Sequence, residues 1–163
     1  INHSYTPDTI LFDPSKSTIM LFYNELLYKL LFDAGPDEVL FDNIEEEIEL
    51  LDQENINLAE RPLRFLLKLS ILLGFFPENN YSDKDCYFSL EGCRFQSYCL
   101  DERSEVPAAE SRYLWQLMSN ADDCHANRDT RNRLLHYIIE YYKIHNEQIK
   151  DIESLEILSD VLH

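Results

Sequence analysis

The sequence predicts an all-α fold, a compact helical bundle of about six helices with one short β-hairpin insertion. Three observations carry this expectation. Apolar residues make up 45% of the chain while only three glycines occur, a composition that disfavours disorder and turn-rich sandwiches or barrels. Apolar positions recur at helical spacing through most of the sequence. One stretch, about residues 77–106, breaks that period with prolines, asparagines and short alternating runs. At 163 residues the chain can close a core without disulfide or metal, so residues 1–163 are expected to form one domain carrying this insertion.

Asp13-Pro14 opens the first helix, since aspartate caps free amides and proline suits the first helical position. That helix runs to about Asp33 on Ile19, Leu26, Leu27 and Leu30, widened by Phe22, Tyr23 and Leu31, and Gly35-Pro36 stops it. A second, about Asp37 to Asp52, is expected to bury Val39, Leu40, Ile44, Ile48 and Leu51. Its Glu45, Glu46, Glu47 and Glu49 are expected to face mainly outward. No Lys or Arg occurs between Asp33 and Glu60, and this acidic run reads as a solvated face because it lacks the spacing of a calcium loop.

The third helix starts between Leu58 and Arg61, because Pro62 is tolerated only in a first turn, and ends at Gly74 as a left-handed cap. Leu63, Phe65, Leu66, Leu67, Leu69, Ile71, Leu72 and Leu73 wrap most of its circumference, so it is expected to be a buried central helix apart from one interrupted stripe. Pro77, Asn79 and Asn80 then mark a loop, and Cys86 to Leu90, Glu91-Gly92 and Cys93 to Phe95 form the hairpin. A fourth helix covers about Ala108 to Ser119, with Tyr113, Leu114, Leu117 and Met118 inward and Trp115 nearby. Asn127 caps a fifth, about Arg128 to Asn146, carrying Leu134, Leu135, Ile138, Ile139, Tyr142 and Ile144. A short last helix, Ile152 to Leu162, places Leu155, Leu158 and Leu162 on one stripe.

The formal net charge of −17 repels phosphate backbones, which argues against direct DNA binding by this piece alone. Cys86, Cys93, Cys99 and Cys124 contain no Cys-x-x-Cys pair, and no secretory leader pattern precedes the first helix, so the cell interior is the simplest compartment. The longest apolar stretch, Leu63 to Phe76, is broken by Arg64 and Lys68 and does not span a bilayer. No Gly-rich phosphate loop, Ser-centred elbow or His-Glu-x-x-His occurs, so an enzyme is not expected. His136 and His145, nine residues apart on the fifth helix, do not form a pair, which leaves Cys124 with a distant histidine as the residual nucleophilic alternative. The chain opens on Ile1 without methionine and through an irregular lead, as a fragment lacking its N-terminal part would.

Phe12-Asp13-Pro14-Ser15-Lys16-Ser17 followed by Asn24 to Leu31 resembles the opening of the helical domain of RecO-type DNA repair and recombination proteins. Leu63 to Leu69 with Leu73-Gly74-Phe75 resembles that family's central helix, and Tyr87 to Gly92 is similar to the segment where many members hold a zinc ribbon. Arg131-Asn132-Arg133, Tyr141-Tyr142 and Ser154 to Leu158 resemble its C-terminal end. The resemblance implies a non-enzymatic mediator domain, cytoplasmic and nucleoid-associated in bacteria. It implies docking of the acidic tail of single-strand DNA-binding protein (SSB), RecR as a partner, and RecA indirectly. DNA would be gripped mainly by an N-terminal oligonucleotide-binding barrel absent from this chain.

Arg61, Arg64 and Lys68 stand at i, i+3 and i+7 in a narrow arc of the third helix, and Leu72 continues the stripe. Guanidinium donors beside an apolar slot suit a tail ending in a carboxylate and an apolar ring, and the resemblance implicates Arg64 in that contact. The alternative is pairing of these cations with Glu60 or the acidic second helix. Arg128, Arg131 and Arg133 crowd the start of the fifth helix, where the dipole disfavours cations. The resemblance makes Arg128 and Arg131 secondary candidates for the same site, and pairing with Asp122, Asp123 and Asp129 is the alternative. Cys86, Cys93 and Cys99 are separated by six and five residues, too far apart for the close ligand pairs of structural zinc, so the hairpin is expected to be a ribbon without its metal and no cofactor is expected. The competing functions are a metal-stabilised nucleic-acid module built on the cysteines and a purely structural domain that positions the missing barrel.

Overall fold

Asp13 starts α1 (Pro14–Leu31) as the sequence predicts, its carboxylate accepting from the amides of Ser15 and Lys16. In this computed structural model, which describes residues 6–121 and 124–162, α1 is followed by α2 (Glu38–Asp52), α3 (Arg61–Leu73), β1 (Tyr87–Ser89), β2 (Arg94–Gln96), β3 (Glu105–Val106), α4 (Ala108–Met118), α5 (Arg128–His145) and α6 (Ser154–Val161). The chain divides into two compact units, one formed by residues 1–61 with 151–163 and the other by residues 62–150.

In the first unit α1 buries Ile19, Phe22, Tyr23, Leu26 and Leu30 on one stripe, and α6 packs against it with Leu155 and Leu158. A carboxylate locks this pair. Glu25 accepts hydrogen bonds from the Glu153 and Ser154 amides (2.7 and 2.8 Å) and from the Ser154 hydroxyl (2.6 Å), so a side chain of α1 supplies the cap that α6 lacks locally. Lys29 completes the cluster at 2.9 Å. Asp52 closes the other end of the unit, accepting from the Asp8, Thr9 and Ile10 amides. Lys16, buried, donates to Thr9 Oγ1 and the Gln53 carbonyl.

The buried stripe of α2 is Leu40, Glu47 and Leu51, with Ile44 and Ile48 half-buried, which corrects two expectations. Val39 is exposed, because its position one turn from the cap places it off that stripe, and Glu47 is inward because two donors meet it there.

The second unit contains α3, a three-stranded antiparallel sheet in the order β2-β1-β3, α4 and α5. The expected hairpin is present, with Phe88 opposite Phe95, and gains a third strand that the sequence did not reveal, with Phe88 also opposite Val106. All three residues are buried. Ser111 of α4 clips the sheet on, accepting from the Phe88 amide (2.9 Å) and donating to the Val106 carbonyl (2.8 Å). Gly74, at φ +87°, ends α3 as predicted. Its amide donates to the Ile71 carbonyl and that of Phe75 to the Ser70 carbonyl, the paired bonds of a Schellman motif that needs a left-handed residue. Tyr142 donates to the Leu66 carbonyl and Tyr141 to that of Phe75, tying α5 to α3. Ile144, expected inward, is exposed beside the end of α5.

Partial burial raises the Glu25 carboxyl, but the hydrogen bonds from Ser154, Lys29 and Glu153 outweigh it and bring it from 4.5 to about 2. A depressed carboxyl stabilises the fold above its unfolded value and loses that contribution as pH falls through its folded value. Glu25→Gln is therefore expected to lower stability by about 1–2 kcal/mol at pH 7, discounted for solvent screening. The difference from wild type shrinks between pH 4.5 and about 2, as urea unfolding at a series of pH values would record.

Candidate protein-docking site

The helix that carries the cations differs from every other. Among the described helices α3 alone contains no Asp or Glu, yet it holds Arg61, Arg64 and Lys68. From Arg61 to Ser70 these three are the only side chains not buried, so the interrupted stripe read from the spacing is present on the folded helix.

The three cations differ in what they do. Arg61 packs with the first unit, where its Nε lies 3.0 Å from Glu47 Oε1 and its Nη2 3.2 Å from Oε2, while the Tyr23 hydroxyl donates to Oε1 at 2.8 Å. Glu47 is 0% exposed, so this two-point pair neutralises an interior charge. Burial and the Glu47 charge together push the Tyr23 phenol well above its ordinary range, which keeps it a donor. Arg61 thus takes the acid-pairing role that the sequence left as the alternative. Arg64 and Lys68 belong to the second unit and are half-buried. Arg64 Nη2 lies 3.9 Å from Cys124 Sγ, and that thiol donates to the Ala121 carbonyl at 3.0 Å.

This contact brings the start of α5 to the α3 stripe. Arg131 Nη1 donates to the Ala126 carbonyl at 2.6 Å, two residues from Cys124, and Arg128 is exposed in the first turn. Arg133 instead faces α4, with its Nε 2.7 Å from Oε1 of the buried Glu110 but off the N–H axis. Asp122 and Asp123, weighed as partners of these arginines, lie outside the described residues.

Two apolar side chains complete the stripe. Leu72 is half-buried, as its assignment to the stripe suggests. Ile71, expected in the core, is 57% exposed, because its angular position falls between those of Arg64 and Lys68 and the buried arc of α3. The i+7 spacing from Arg64 and i+3 from Lys68 carried this signal, which its apolar character masked.

The cysteines assemble no zinc site. All four are free thiols, and among the described residues no three His, Cys, Asp or Glu side chains converge as metal ligands. Cys93, at φ 56°, sets its Sγ 3.3 Å from His145 Nε2, and that nitrogen donates to the Leu90 carbonyl at 2.7 Å. His145 also stacks on Phe75, so its place is explained by packing of the hairpin on α5. Among the described residues no helix is long and apolar enough to cross a membrane.

A family model described as the C terminal of recombination protein O matches residues 11–151, across both the acidic α2 and the cationic α3. The chain belongs to the RecO family. It is 32% identical to a DNA repair protein RecO of Bacteroides fragilis, over 97% of this chain and 68% of that protein. It is 29% identical to one from Azobacteroides pseudotrichonymphae, over 94% of this chain and 65% of the relative. Against one from Flavobacterium psychrophilum the figures are 28%, 94% and 64%. The chain spans about two thirds of the length of these relatives. RecO is a family of DNA repair and recombination proteins rather than of enzymes. No solved structure matches the chain.

Removing Arg61 from this RecO domain would strand a buried carboxylate. Arg61→Ala is expected to cost roughly 3 kcal/mol in chemical denaturation, and Glu47→Gln with Arg61→Met markedly less, because the double change leaves no unpaired charge.

Proposed function

We propose that this RecO-family domain is a docking module for the acidic C-terminal tail of SSB, through Arg64 and Lys68 with Ile71 and Leu72 beside them. In this role it brings a recombination mediator to SSB-coated DNA and helps RecA loading, with RecR as a further partner and the grip on DNA supplied mainly by the N-terminal part of the longer protein.

One observation carries the proposal: in a chain of net charge −17, the one described helix free of carboxylates turns its cations and an exposed isoleucine to the same side. A carboxylate-rich peptide finds charge-assisted donors there, and an apolar end finds a surface from which it displaces water. Elsewhere it meets an acidic body, so the same charge that keeps phosphate backbones away narrows where an acidic tail can sit. Arg128 and Arg131 lie at the start of α5, which the Arg64–Cys124 contact brings near, and they extend the cationic margin of the same site.

The test is fluorescence anisotropy of a labelled acidic SSB-tail peptide against the wild-type chain and Arg64→Glu. Charge reversal is expected to weaken binding by about tenfold or more, and added salt to weaken the wild-type complex. Equal affinity for both chains would remove the site.

A further inference from the structure

The order of side chains along α3 also fixes a direction. We propose that an acidic peptide ending in an apolar residue lies parallel to α3. Its upstream acids meet Arg64, its terminal carboxylate meets Lys68, and its last side chain covers Ile71; this rests on the docking role proposed above.

Three features of α3 support that order. At 3.6 residues per turn, Arg64, Lys68 and Ile71 fall within an arc of about 60°, so one extended strand can touch all three. At 1.5 Å per residue, Lys68 lies about 6 Å and Ile71 about 10 Å beyond Arg64 toward the C-terminus. The face is therefore cationic at its start and apolar at its end.

The apolar end is also the broader one. Ile71 is exposed, and Leu72, Leu73, Phe75 and Phe76 around it are half-buried, whereas every apolar side chain of α3 before Ile71 is buried. The Gly74 and Phe75 amides already occupy the Ile71 and Ser70 carbonyls, so this end offers carbon surface rather than donors. The opposite direction would lay the peptide's acids over Ile71 and the negative end of the helix dipole, and set its apolar side chain among cations.

The same distances set a register. An extended peptide advances about 3.3 Å per residue, so Arg64 to Ile71 is covered by about three residues. Arg64 then meets acids about three positions before the end, and Ile71 reads the identity of the last residue. Ile71 becomes the specificity-determining contact, and its exposure means that it can be changed without opening the core.

Peptide anisotropy with the full 163-residue chain tests this, using an acidic peptide with a terminal Phe, the same peptide ending in Ala, and the Phe peptide with a C-terminal amide. Ile71→Ser should weaken the Phe peptide by about tenfold, from loss of part of a buried side-chain contact, and leave the Ala peptide unchanged. Lys68→Met should weaken the free-carboxylate peptide and have little further effect on the amide. Circular dichroism of each variant confirms that it is folded. If Ile71→Ser fails to distinguish Phe from Ala while Arg64→Glu still abolishes binding, the direction is overturned and docking stands. If Arg64→Glu also binds normally, the docking role itself falls.

Discussion

A carboxylate removed from water costs several kcal/mol unless a cation and hydrogen-bond donors replace its hydration, and Glu47 obtains all of these from Arg61 and Tyr23. The consequences reach past the pair. Glu47 can occupy the buried stripe of α2 only because Arg61 meets it with two nitrogens, and Arg61 is the first residue of α3. The same bond therefore settles an acidic helix against its core and marks where the next helix begins. It also decides which cations remain for a partner, since an arginine satisfying an interior charge is not spared for an external one.

What remains on α3 is a small cationic face on a strongly acidic protein. At physiological salt, charges are screened beyond about 8 Å, so an acidic partner feels little of this face until it is close and is repelled by the rest of the body further out. Recognition then depends on contact rather than long-range steering. This suits a partner delivered at high local concentration, as by a filament of identical subunits, better than one found by diffusion from afar.

Much of this was legible in the residues. Asp13-Pro14, Gly74 and Asn127 act locally, through caps and a left-handed turn, and local chemistry is what a sequence displays. The i, i+3, i+7 cation stripe was visible for the same reason, since helical geometry alone aligns it. Glu47, Ile71 and β3 were not. Glu47 sits among four neighbouring acids that look alike until a distant tyrosine and arginine single it out. Ile71 is one apolar residue in an apolar helix, and only the folded arrangement of the second unit tells which side stays in water. A two-residue strand such as β3 exists because β1 is there to pair with it. The split of three similar cations into one interior partner and two surface ones is likewise a tertiary decision.

The capping of α6 by Glu25 joins residues about 128 positions apart in the chain. The first unit is thus discontinuous, its closing helix made only after the whole of the second unit has been synthesised. During synthesis the second unit can acquire its contacts while α1 still exposes the apolar stripe that α6 will cover. For that interval the nascent chain carries an unfinished hydrophobic seam, and its completion depends on the last dozen residues to leave the ribosome.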